Sequence, residues 1–113
     1  MRVLVCGSRD WTDQEAIVNR IALLPSDAVV VHGGARGADR IAGAAAEILG
    51  HEVKVFRADW NKYGKAAGIL RNLQMLDTRP DRVIAFWDGV SPGTQHTIEE
   101  ARRRGIKVEV IRG

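Results

Sequence analysis

Short runs of consecutive apolar residues alternate along this chain with longer stretches in which apolar residues recur every three to four positions. The short runs read as strands buried on both faces, and the periodic stretches as amphipathic helices. Arg2–Cys6 is the first predicted strand and Trp11–Leu24 the first helix. Thr12 is its expected N-cap, with Glu15 three residues on to complete a capping box. Pro25-Ser26-Asp27 breaks the chain before Ala28–His32, a β-branched run that reads as a central strand. The loop Gly33–Asp39 runs into a helix ending near Leu49, with Gly50 as its stop. Glu52–Phe56 is a third strand, Arg57–Lys62 a loop, and Gly64–Leu76 a third helix. Arg82–Trp87 is a strand, Asp88–Gly93 a loop, Thr94–Arg104 a helix stopped by Gly105, and Lys107–Ile111 the last strand.

Strict alternation of strand and helix implies an α/β fold with a parallel sheet between two helical layers. Right-handed crossovers leave few topologies, and the expected one is a Rossmann-like three-layer sandwich with strand order 3-2-1-4-5. The 113 residues suffice for one domain and one core, and no linker, repeat or low-complexity stretch divides them.

In such a sheet, ligands sit outside the carboxyl ends of the strands, near the switch point between strands one and four. The loops expected there are Gly7-Ser8-Arg9-Asp10, His32–Asp39 and Asp88–Thr94, all rich in glycine or hydroxyl residues. The loops at the opposite edge, Pro25–Asp27, Gly50–His51, Thr78–Asp81 and Gly105–Ile106, lack that composition. Glycine lets backbone N–H groups approach a ligand, and helix N-termini add free donors and partial positive charge. Gly7, Gly33, Gly34, Gly37 and Gly93 are therefore candidate phosphate-cradle positions, and Gly34→Val is expected to block the cradle. Ser8, Ser91 and Thr94 offer hydroxyls, and Arg9 and Arg36 offer charge.

Other residues keep two readings at this stage. Asp39 is either a carboxylate at a helix start, or a group that binds a ribose or orders the glycine loop. Arg71-Asn72 is either a solvated helix face or part of the site. Trp60 and Tyr63 either stack on a base or pack over the rim of the core.

Composition narrows the class. With 45% hydrophobic and 27% charged residues, the chain falls among soluble globular proteins rather than disordered ones. No segment approaches a membrane span, and Met1–Gly7 reads as a strand rather than a secretory leader. Cys6, the one cysteine, has no internal disulfide partner; it reads as a buried core residue in a cytoplasmic protein. A net charge of +3 suits an anionic ligand but does not establish a nucleic-acid partner, and Arg102-Arg103-Arg104 reads as a helix-end cap. His32 and His96 have no metal-ligand spacing around them, and neither a metal nor a cofactor is expected.

The series Gly7-Ser8-Arg9, Gly33–Asp39, Gly68–Met75 with Arg71-Asn72, and Ser91-Pro92-Gly93-Thr94 with Ile98 and Ala101 resembles the SLOG superfamily. Within it, the match is to the YspA / cpYpsA-related group, and it runs in order over nearly the whole chain. The resemblance implies a Rossmann-like nucleotide-binding domain. Related DprA proteins carry a similar G-x-A-R-G-x-D loop and bind single-stranded DNA. Related LOG enzymes cleave the N-glycosidic bond of nucleoside monophosphates, using a helix-three arginine and a glutamate in P-G-G-x-G-T-x-x-E. Arg71 stands where that arginine would be and Gly93-Thr94 where G-T would be. Thr97, however, stands three residues after Thr94 in place of the glutamate. The nearest acids are Glu99 and Glu100, and Glu99 lies roughly 3 Å further along a helix axis. Glycoside cleavage needs a carboxylate beside the anomeric carbon, so the LOG activity does not carry over.

Three functions remain open. The favoured one is binding or sensing of a nucleotide-derived, phosphate-bearing small molecule. The second is a nucleotide-processing hydrolase, with Arg71 and Glu99 as catalytic candidates and Asp88 as a further nearby acid. The third is single-stranded nucleic-acid binding. Under the first, Arg71 grips the ligand phosphate or sugar and Asn72 orients it, so Arg71→Lys weakens binding while leaving stability nearly unchanged. The apolar residues of helix three, including Ile69, Leu70 and Leu73, together with the pairing of SLOG relatives, imply a homodimer or higher homo-oligomer.

Overall fold

The computed structural model describes residues 1–113. Five strands form one parallel sheet in the order β3-β2-β1-β4-β5, as the alternation predicts. They are β1 (Arg2–Gly7), β2 (Val29–His32), β3 (Glu52–Val55), β4 (Arg82–Trp87) and β5 (Lys107–Arg112). The helices are α1 (Gln14–Ala22), α2 (Ala38–Ile48), α3 (Trp60–Tyr63), α4 (Ala67–Asp77) and α5 (Pro92–Arg103).

The period-two alternation of side chains divides the core into two layers. Val3 and Val5 of β1, with Val30, Ile84 and Phe86, pack with Ile17 and Ile21 of α1 and the alanines of α2. Leu4 and Cys6, with Val31, Val83 and Ala85, face Met75 and Leu76 of α4 and Ile98 and Ala101 of α5. Trp11 closes the first layer edge-on to Phe86, with ring centroids 5.5 Å apart. Burial of Cys6 pushes its thiol well above the usual range, so it behaves as a small apolar residue. No helix is long and apolar enough to cross a membrane.

The largest departures from the sequence reading fall at three helix starts, and other element ends shift by one or two residues. Asp13, rather than Thr12, caps α1, because its carboxylate accepts the Ala16 N–H at 3.1 Å and no Thr12–Glu15 box forms. The predicted helix Gly64–Leu76 starts with a 3-10 turn over Gly64–Ala66 and is α-helical only from Ala67, as α4, while α3 forms ahead of it from residues mostly read as loop. Asp59 starts α3 by accepting the Lys62 N–H, and Gly64 ends it at a φ of 56°. α5 begins at Pro92, whose fixed φ and missing N–H suit the first helical position.

Candidate functional site

The carboxyl ends of β1, β2 and β4 open onto a cavity of about 540 Å³ walled by α4 and the start of α5. Of the predicted site residues, Gly7, Arg9, Arg36, Asp39, Arg71, Asn72, Ser91, Gly93 and Thr94 line it.

The α5 end is built by an unusual division of labour. Ser91 holds the N-cap position, yet its side chain does not cap the helix. Its hydroxyl donates instead to Asp88 Oδ2 at 2.7 Å. Asp88 also accepts the Val90 and Ser91 N–H groups and the Ser8 hydroxyl. These donors, the amides first, hold its carboxyl well below the usual range. Asp88 and the buried Ser8 thus tie two loops together and stay outside the cavity wall. The N–H groups of Gly93 and Thr94 are left without a protein partner at the edge of the cavity.

On the β2 side, Asp39 resolves to the loop-ordering role. Its Oδ2 accepts the Gly33 N–H at 3.0 Å and the Ala35 N–H at 3.4 Å. Burial pushes its carboxyl up to about 6, against the pull of those amides, Arg71 and Arg9. Gly37 also serves the loop. At φ 82° it packs on the Ser8 and Arg9 carbonyls, where any Cβ would collide.

Arg71 reaches the same loop from α4. Nη1 donates to the Gly33 carbonyl at 2.6 Å and Nε to Asn72 Oδ1 at 3.0 Å. It is 9% exposed, so the solvated-face reading is set aside. Desolvation lowers its proton affinity, and a guanidinium still stays charged at neutral pH. Gly33 is the residue that makes room for it, since a Cβ there would fall 2.5 Å from Nη1.

Gly33 and Gly34 do not line this cavity; they line a second one beside it. A side chain at Gly34, whose φ is 70°, would press on Val55 and Arg57 rather than enter the first cavity. Glu99 is exposed and hydrogen-bonded to Gln95, outside both cavities. Thr97 instead is in the wall, fully buried, with its hydroxyl turned back to the Gly93 carbonyl.

Several lining residues escaped the sequence reading. Lys65 follows the Gly64 break, and His96 contributes a buried Nδ1 with no hydrogen-bond partner. Arg40 and Arg57 line the second cavity. Arg57 follows β3 at the ligand edge, so the edge rule alone had the means to find it. Trp60, half exposed at the rim of both cavities, starts α3 rather than lying in a loop.

Residues 1–63 match the YspA, cpYpsA-related SLOG family. The chain is 43% identical, over an alignment of 116 residues, to the Gene 61 protein of Mycobacterium phage D29, covering 95% of this chain and 93% of that protein. Its fold is similar to that of DNA processing protein A (DprA) from Streptococcus pneumoniae, with a TM-score of 0.83 and 23% identity. That superposition takes in 99% of this chain but 50% of DprA, so the chain spans half the length of that protein. With over half its length matched to the family and a 43% identical relative aligned nearly end to end, the chain belongs to the YspA, cpYpsA-related SLOG family.

Proposed function

We propose that this chain binds or senses a nucleotide-derived, phosphate-bearing small molecule at the carboxyl edge of its sheet. The observation that carries the reading is the uncapped start of α5. Ser91 gives its hydroxyl to Asp88, and the Gly93 and Thr94 N–H groups face the cavity unpaired. Unpaired donors at a helix start, with the helix dipole behind them, are a ready site for phosphate. Arg9, Arg71 and Lys65 add positive charge around the same space, and the Trp60 indole offers a face for a base. The volume is that of a small-molecule site. Family membership and the DNA-processing name of the structural neighbour both support a nucleotide-related ligand.

Binding without turnover is favoured over glycoside hydrolysis. The carboxylates in the cavity wall are Asp10 and Asp39, and Asp39 is committed to the Gly33 and Ala35 amides. The buried lone cysteine fits a cytoplasmic setting. Thermal unfolding in the presence of nucleoside monophosphates, with chromatography for released base, tests the reading. Saturable stabilisation of about 2.7 kcal/mol at a hundredfold excess over Kd, with no base released, is expected. Absence of stabilisation contradicts binding, and free base makes the protein a hydrolase.

A further inference from the structure

We infer that the site holds two phosphate groups of one ligand, which narrows the nucleotide reading above to nucleoside diphosphates or longer phosphate chains. The second cavity, of about 420 Å³, carries the inference. Arg9, Arg36, Arg40, Arg57 and Arg71 all line it, and no carboxylate does.

Elsewhere in the molecule Arg20, Arg103 and Arg104 pair with acids while Arg2, Arg79, Arg82, Arg102 and Arg112 do not, so it is the convergence of five arginines on one space that sets this cavity apart. Arg20 pairs with Glu109 at 2.6 Å, and Arg104 joins Asp77 and Glu100. Around the second cavity the one ion pair is Arg36 with Asp10, at 3.5 Å and between side chains 70% and 86% exposed. Such a pair contributes little. Arg40 and Arg71 each donate to a loop carbonyl, of Gly34 and Gly33, which fixes their direction; Arg71 and Arg9 also feel the Asp39 carboxylate from the first cavity, one acid against several cations. Arg9 and Arg57 make no side-chain hydrogen bond.

Like charges converging on one concavity repel, and a bound anion relieves that repulsion. The guanidinium fork suits phosphate oxygens in particular. The two cavities share Arg9, Ala35, Arg36, Trp60 and Arg71, so they are contiguous. A ligand that occupies both cavities places one phosphate at the start of α5 and another among the arginines. They line one cavity of about 420 Å³, the size of a small-ligand site, which fits a compact polyanion better than a nucleic-acid strand.

Calorimetric titration at fixed salt tests this with the wild-type protein and an Arg40→Gln, Arg57→Gln double variant. Both residues are exposed and line the second cavity alone, so the variant retains the fold and the first cavity. The probes are nucleoside monophosphates and diphosphates of the common bases, and oligothymidines of increasing length. The wild type is expected to prefer diphosphates by about tenfold or more, and the variant to lose that preference with monophosphate affinity unchanged. A wild type that binds monophosphates and diphosphates equally, or a variant that weakens both alike, overturns the second subsite. Affinity that rises with oligothymidine length and falls in the variant assigns the arginines to nucleic acid instead and overturns the small-ligand form. A wild type that binds no nucleotide overturns the reading on which this inference rests.

Discussion

Gly33 and Arg71 compete for one space, so a single methyl group at residue 33 tests what the arginine does. Gly33→Ala puts a Cβ 2.5 Å from Arg71 Nη1 and 2.7 Å from Cζ, and the guanidinium has to move. Gly33 shows no positive φ, so the backbone accepts alanine. Displacement leaves the Gly33 carbonyl and Asn72 Oδ1 without their donors, at a cost of about 1–3 kcal/mol. Nucleotide affinity is expected to fall about tenfold, or about 1.4 kcal/mol. Unchanged affinity in a folded Gly33→Ala protein would remove Arg71 from the site. The same contacts revise the expectation for Arg71→Lys, which forfeits both hydrogen bonds and so lowers stability as well as binding. Asp39 supplies a pH test. Its folded-state value, about 6, lies above the ordinary 3.8, so the folded protein holds this proton more tightly than the unfolded chain. Its contribution is greatest below pH 3.8, declines as pH rises to about 6, and is level above that. Asp39→Asn keeps an oxygen for the Gly33 and Ala35 amides and removes the titration. The variant is therefore expected to gain on the wild type by about 2 kcal/mol between pH 4 and pH 6. Denaturant melts showing no such divergence would mean that the carboxylate is not desolvated.

At the scale of elements, the strands were legible because both faces of β1, β2 and β4 are buried, which writes them as unbroken apolar runs. The helix boundaries were less so, since neighbouring residues compete for one role. Thr12 and Asp13 are both cap formers, and the choice between them depends on which side chain reaches Ala16. The break at Gly64 was hidden because apolar periodicity resumes directly after it, while the Asp59 cap lies upstream in what reads as a loop. α4 leaves Ile69 47% exposed, with Leu70 and Leu73 only partly covered. Pairing through this helix is our proposal for a homodimer. Sedimentation at micromolar concentration is expected to show a dimer that Ile69→Glu dissociates. A monomeric wild type, or a dimer insensitive to that change, removes α4 as the interface.

Across the whole molecule, the site was legible as a place before it was legible as a set of contacts. Glycine and hydroxyl residues mark the carboxyl edge of the sheet, and the cavities open there. Composition gave no sign that Ser8, Ser91 and Asp88 bond mainly to one another. Nor did it show that Arg40 and Arg57, far apart in sequence, face one cavity because β2 and β3 are neighbours. The central claim is that nucleotide phosphate seats on the uncapped start of α5. The most direct measurement is an amide proton–nitrogen correlation spectrum recorded through a titration with a nucleoside monophosphate. Saturable shifts are expected at the Gly93, Thr94, Arg9 and Ala35 amides and the Trp60 indole, with none at Pro25–Asp27 or Gly50–His51. A spectrum that stays unchanged, or that moves only at the opposite edge of the sheet, would contradict the account.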